Sequence, residues 1–190
     1  MKRILHVIIM SAVLILTSSR CEKDDTPDEN NYASFRSYFS CYINGEYFEP
    51  KGKFGCHRMS VTYYENNYYN LGEGFLRING QNCHAEIGDY RVVGIVLNGV
   101  FEKDIPKIIR LTEDSIHNVF ASAIQDSAQT SGYTLKNIIS GEVAIDKLVP
   151  HVTGESNGVV IGTFEFTVHN NYGDTARVTN GKFGMKLPNP

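Results

Sequence analysis

The residues best able to do chemistry in this chain are a repeated dipeptide, Cys56-His57 and Cys83-His84, which together offer two thiolates and two imidazoles. Four such groups at tetrahedral positions would make a zinc site. Adjacent residues on a strand point to opposite faces, however, so neither pair can readily aim both of its groups at one ion. No metal is therefore expected. The alternative use of the thiols is oxidative: Cys41 shares strand parity with Phe39 and Ile43 and reads as a small core residue, which leaves Cys56 and Cys83 as the pair for a disulfide. Such a bridge would add about 3–4 kcal/mol. Three buried free thiols are the competing arrangement.

Catalytic motifs are missing. There is no His-Glu-x-x-His helix, no Gly-x-Ser-x-Gly elbow and no Gly-x-x-x-x-Gly-Lys phosphate loop. Gly72-Glu73-Gly74 reads as a turn or bulge. The carboxylates Glu73, Glu86 and Asp89 would matter to a glycosidase only if two of them faced each other, which spacing alone does not establish. The expectation is a non-catalytic protein without a cofactor.

A third group of residues is suited to binding. In Tyr63-Tyr64-Glu65-Asn66-Asn67-Tyr68-Tyr69-Asn70, paired tyrosines flank a polar tip. Tyr63 continues the parity of Met59 and Val61 and is expected inside, so Tyr64 faces out. Across a turn centred near Asn66, Tyr68 would lie opposite Tyr64. Tyr64, Asn66, Asn67 and Tyr68 are then the candidate contact set, since Tyr and Asn combine stacking faces with hydrogen-bonding tips. Cross-strand pairing that only steadies the hairpin is the simpler use of the same tyrosines.

The elements that must carry these residues are strands. Asn-Gly occurs at 44–45, 79–80, 98–99, 157–158 and 180–181; both residue types tolerate the positive φ of tight hairpin turns, so five hairpins are expected. Phe39, Cys41 and Ile43 alternate with Ser40 and Tyr42. Phe164, Phe166 and Val168 alternate with Glu165 and Thr167, a turn follows around 170–174, and Ala176 to Thr179 begins a return strand. The spacing of the turns has no fixed period, which excludes a repeat array. Residues 112–128 fit either a short helix, with Ile116, Val119, Phe120, Ala123 and Ile124 on one face, or a strand. The fold class expected is mainly β, an antiparallel β-sandwich or barrel-like domain over residues 34–190 with at most one or two short helices.

Ahead of that domain the chain reads as an export signal. Lys2 and Arg3 precede an apolar run from Ile4 to Leu16, then Thr17, Ser18 and Ser19. The apolar run would span only about 20 Å as a helix, short of the roughly 30 Å hydrocarbon core. Residues 1–20 are thus expected to be a signal peptide. Cys21 directly follows, and a thiol at that position is a lipidation site that would hold the protein to a membrane. Arg20 stands where the usual lipoprotein signal has a small residue; cleavage after Thr17-Ser18-Ser19, giving a secreted or periplasmic soluble protein, is the other outcome. Residues 22–29 hold five acids against Lys23 alone, so residues 21–33 read as a lipidated cysteine with a flexible acidic tether. Removal of residues 1–20 leaves 170 residues with 15 basic and 21 acidic side chains. No basic patch is present, which argues against nucleic acid as a partner.

The run Cys21-Glu22-Lys23-Asp24-Asp25, the opening Phe39-Ser40-Cys41-Tyr42-Ile43-Asn44-Gly45 with Phe48-Glu49-Pro50-Lys51-Gly52, and the close Gly162-Thr163-Phe164-Glu165-Phe166-Thr167 with Val178-Thr179-Asn180-Gly181-Lys182-Phe183 resemble Bacteroidetes-type exported lipoproteins. The resemblance covers the signal, the first hairpin and the last thirty or so residues. It implies an outer-membrane or cell-surface location and a terminal strand pair that completes the β domain. It implies no activity and no catalytic residues. The function expected is a surface binding module for glycan, peptide or host protein; the alternative is a structural or accessory subunit of an outer-membrane complex.

Overall fold

A computed structural model describes residue 32 and residues 35–51, 58–66, 73–82, 90–124, 137–150, 158–170 and 173–187. Residues 1–20, Cys21, Cys56, Asn67, Tyr68 and Cys83 lie outside the described residues. So do both Cys-His dipeptides, Glu86 and Asp89. The compact unit that contains the strands runs from Asn31 to Pro190, and Tyr32 within it is buried, with the Lys147 ammonium 5.2 Å from its ring centre.

Ten strands form two antiparallel sheets: β1 (Tyr38–Ile43), β2 (Glu46–Phe48), β3 (Met59–Tyr64), β4 (Phe75–Gln81), β5 (Tyr90–Leu97), β6 (Lys107–Leu111), β7 (Asn118–Ile124), β8 (Asn137–Val149), β9 (Val159–His169) and β10 (Thr175–Lys186). The larger sheet has the order β2-β1-β10-β9-β8-β6 and the smaller β3-β4-β5-β7. The chain crosses from the small sheet to the large one between β5 and β6, and back again between β6 and β7. Among the described residues the only helical piece in the sequence from β1 to β10 is one 3-10 turn, Glu102–Asp104.

Alternation builds the core. Phe39, Cys41 and Ile43 on β1, and Val160, Phe164, Phe166 and Val168 on β9, point inward against Leu76, Ile78, Val93, Ile95 and Leu97 of the small sheet. Phe39 ties the layers together. Its ring packs 5.2 Å from Phe164 and 6.3 Å from Phe48, and it occupies the space that a β-carbon on Gly80 of β4 would need. This is a β-sandwich, one of the two arrangements expected. Cys41 is buried as its parity implied, and burial, offset in part by Arg91, pushes its thiol up to about 12. A thiol held protonated in this way is no nucleophile.

The Asn-Gly pairs correct the expectation of five hairpins. Among the described pairs only Asn44-Gly45, with φ of 52° and 85°, makes a two-residue hairpin, between β1 and β2. Asn79-Gly80 lies inside β4, paired on both sides, and Asn98-Gly99 turns the chain out of the small sheet. Asn180-Gly181 sits within β10, where Asn180 takes φ 51° and the register to β9 shifts between Val178 and Gly181. It is a β-bulge. Residue 157 of the remaining pair is outside the described residues. The conformation Asn-Gly favours serves a bulge as well as a turn, and sequence spacing does not separate the two uses.

Of the ambiguous stretch 112–128, residues 118–124 form a strand, β7, paired to β5 from Tyr90↔Ile124 to Val96↔Asn118. Val119 and Ala121 face the core. The open side of β5 needed an apolar partner, and that tertiary demand overrides the helical spacing.

Candidate functional site

The tyrosine tip and the outer face of the large sheet are the two places to look. In β3 the register is Tyr63↔Leu76 and Tyr64↔Phe75, so the cross-strand neighbour of Tyr64 is Phe75 and not Tyr68. Beyond that pair the two strands are closed by the Gly74 amide, which donates to the Glu65 carbonyl at 2.9 Å. Tyr64 is half-buried, its ring stacked on Phe75 at 6.3 Å and 25°. Tyr63 packs against the core, its hydroxyl donating to the Val100 carbonyl at 3.3 Å, and burial first, then Glu65 and Glu102, pushes its phenol up to about 12. Asn66 is exposed. Thus the structure assigns Tyr64 an intramolecular stacking role and leaves Asn66 at the surface, with Asn67 and Tyr68 outside the described residues.

The outer face of the large sheet is built differently. Its floor is β9, where Thr163, Glu165 and Thr167 alternate with the buried Gly162, Phe164, Phe166 and Val168. On one side β10 brings Lys182 opposite Thr163 and Arg177 opposite Thr167; on the other β8 brings Ala144 opposite Thr163 and Glu142 opposite Glu165. The four residue steps from Thr163 to Thr167 make this trough roughly 13 Å long. Small side chains (Ala144, Ser140, Thr163) keep it open. A depression of about 590 Å³ lies over Glu142, Thr163, Glu165 and Lys182 and is bounded by Tyr42 and Tyr47. A smaller one of about 130 Å³ continues past Glu165 to Ser140, Thr167 and Arg177.

Each wall is held by identifiable contacts. Tyr42 and Tyr47 face each other across the β1–β2 hairpin, 39% and 54% exposed, with ring centroids 5.5 Å apart at 65°. The hairpin tip is tied to β10: the Arg177 amide donates to the Asn44 side-chain carbonyl at 2.8 Å, and the Asn44 amide donates to the Arg177 carbonyl at 2.9 Å. From the small sheet, the Arg91 guanidinium donates to the Tyr47 carbonyl at 3.3 Å and lies 5.5 Å over the Phe48 ring. These contacts fix where the tyrosine pair stands relative to the trough. The bulge at Asn180 places both Thr179 and Asn180 beside Glu165, widening the trough at its centre.

Electrostatically the trough runs cation, two anions, cation: Lys182, then Glu165 with Glu142 directly opposite, then Arg177. Arg110 of β6 stands in register on the far side of Glu142. Among the described residues none of these five charged side chains has an ion-pair partner within 4 Å; the pairs present there are Arg91–Glu46 at 3.9 Å and Lys107–Asp104 at 3.8 Å. Also among the described residues, no three His, Cys, Asp or Glu side chains gather as a metal site, and no helix is long and apolar enough to cross a membrane.

Sequence reasoning missed this trough. The alternation of residues 163–167 did show that Thr163, Glu165 and Thr167 share a face. What it lacked was the register that sets Glu142 and Lys182 beside them, and that register turns on a bulge whose Asn-Gly signature reads equally as a hairpin. No family model, curated protein or solved structure matches the chain.

Proposed function

We propose that this chain is an exported, lipid-anchored binding module, without catalysis, that takes a glycan along the outer face of its six-stranded sheet. The observation that carries this reading is the trough itself. Its surface is hydroxyl, amide, carboxylate and ammonium groups beside an exposed tyrosine pair, the mixture that hydrogen-bonds sugar hydroxyls and stacks on sugar rings. β9 is paired on both sides, as are β8 over residues 141–145 and β10 over residues 178–184, so the floor of the larger depression offers no open ladder for a peptide to join as a strand. The apolar run before Cys21 and the acidic residues after it support export and anchoring.

Two measurements test the reading. Intact mass of the membrane fraction is expected to show a chain starting at Cys21 with added lipid; an unlipidated N-terminus removes the anchor. A glycan array followed by calorimetry is expected to find an oligosaccharide ligand whose binding falls by on the order of 10-fold in Tyr42→Ala with Tyr47→Ala, as for interface anchors worth about 1–3 kcal/mol. Binding that survives this change and disappears in Tyr64→Ser with Tyr68→Ser places the ligand on the tip instead. An array with no retained glycan overturns the glycan reading.

A further inference from the structure

We propose, building on the glycan reading, that the ligand is an extended, β-linked oligosaccharide lying along β1, with an aromatic pair under each end. Among the described residues the exposed aromatic side chains are Tyr38, Tyr42 and Tyr47, and all three stand on the outer face of the β1–β2 hairpin. Apolar side chains exposed singly carry no meaning, whereas a set gathered on one face marks a contact surface. The set falls into two groups. Tyr42 and Tyr47 pair at one edge of the larger depression. Four residues back along β1, roughly 13 Å away between Cα atoms, Tyr38 pairs with Phe35, with ring centroids 6.1 Å apart at 54°. Between the two pairs β1 shows Ser40, and Lys182 and then Thr163 continue its row across the sheet.

The position of Tyr38 depends on a missing side chain. Its cross-strand partner is Gly184 of β10, and the Tyr38 ring occupies the space that a β-carbon there would need. A ring seated over bare backbone lies low on the sheet instead of standing up from it, yet 41% of Tyr38 remains exposed.

This layout selects the shape of the occupant. A sugar ring has an apolar face that stacks on an aromatic ring and a rim of hydroxyls that pair with polar groups beside it. One sugar cannot reach both aromatic pairs, so the ligand is a chain. β1 alternates without interruption from Tyr38 to Ile43, which keeps both pairs on one face of one straight strand. A chain that meets both must itself run straight. β-Linked glucose units of the cellulose type form such a ribbon, whereas α-linked units of the starch type coil away from the second pair. The middle sugars of the ribbon then lie over Ser40, Lys182 and Thr163, whose hydroxyl and ammonium groups face their hydroxyls.

The test titrates the full mature chain by calorimetry with cello-oligosaccharides from the disaccharide to the hexasaccharide, with malto-oligosaccharides of the same lengths, and with hexaproline. The affinity of the cello series is expected to rise on the order of 10-fold between the disaccharide and the tetrasaccharide, as a second aromatic anchor is reached, and then to level off. The malto series is expected to show no such rise. Tyr38→Ala is expected to abolish the rise, and Gly184→Ala, which keeps the tyrosine but displaces its ring, to reduce it. Affinity that does not depend on length, or a rise that survives both substitutions, overturns the extended-chain assignment and leaves the glycan reading standing. A melting temperature that falls in Tyr38→Ala while the rise persists makes the Phe35–Tyr38 pair structural and overturns it too. Equal binding of the cello and malto series overturns the β-linked class. Binding of hexaproline alone makes the occupant a proline-rich peptide. Binding of none of the probes overturns the assignment, and the glycan array above then decides separately whether any sugar is a ligand.

Discussion

The two sheets share one core but treat their outer faces in opposite ways. On the small sheet the face is filled from within. Phe120 of β7 lies over Gly94 of β5, in the space a β-carbon would take, and Tyr64 lies on Phe75. On the large sheet the corresponding rows carry alanine, serine, threonine and unpaired charges, and the space above them is open. An aromatic ring laid over a neighbouring glycine closes a sheet face at no cost in polar desolvation. A row of small residues between charged ones does the reverse, and it keeps charged groups at an open surface. The difference separates a face covered by the protein's own side chains from one left open.

The largest expected effect comes from breaking what the sheets have in common. Phe39→Ala removes the ring that touches Phe48, Phe164 and Gly80 and is expected to cost about 3–5 kcal/mol in denaturant unfolding. A loss below about 1 kcal/mol would mean that the two layers do not depend on one core.

The contrast between faces is sharpened by a pair of small substitutions. Gly94→Ala drives a methyl group into Phe120 and the Asn79 amide and is expected to destabilise by about 1–3 kcal/mol. Thr163→Val, on the exposed floor of the trough, is expected to stay within about 0.5 kcal/mol while weakening ligand capture. Equal costs at the two positions would show that the large sheet's face is as closed as the small one's.

The smallest effect concerns the corner where the chain leaves the small sheet for the large one. The His117 Nδ1 accepts a hydrogen bond from the Asn98 amide at 3.2 Å, and Lys107 close by donates to the Gly99 carbonyl at 2.6 Å. Burial first, then Lys107, holds the His117 imidazole below its usual 6.5. The unfolded chain therefore takes up this proton more readily than the folded one, so the contribution is whole above about pH 6.5 and is lost as pH falls through the lower folded value. The imidazole is only half-buried, which keeps the effect small. Denaturant midpoints at pH 7.5 and 5.5 are expected to differ less in His117→Gln than in the parent; identical pH dependence would show that the hydrogen bond does not couple to titration.

Much of this fold was legible in residue order, and the limits of that legibility are specific. The alternation of β1 and β9 named Phe39, Cys41, Ile43, Phe164, Phe166 and Val168 as inward residues, and all six are buried. The turn before β10 was legible as well, closed by Asn170, whose side chain accepts from the Asp174 amide at 2.9 Å. Local pattern reaches that far because it is set by residues two apart on one strand. It does not reach pairing. A turn centred near Asn66 puts Tyr68 opposite Tyr64, whereas the sheet pairs Tyr64 with Phe75 eleven positions on. Glu142 and Glu165 lie on neighbouring strands joined by a connection outside the described residues, and nothing in either strand alone sets them opposite each other.

The bulge at Asn180 carries a consequence for how this chain can change over evolutionary time. Before it, the even residues Ala176 and Val178 point inward; after it, the odd residues Phe183, Met185 and Leu187 do. The extra residue is a phase correction, inserted once and used by every position that follows. Substitutions around it alter one side chain each, and loss of the one extra codon would leave a regular strand in which Phe183, Met185 and Leu187 still point inward, whereas straightening the bulge with its residue kept would aim Lys182 at the core and Phe183 at water. Drift by replacement is therefore open to this strand, and so is one change of length, the loss of the bulge residue itself, which would narrow the trough without turning the strand over.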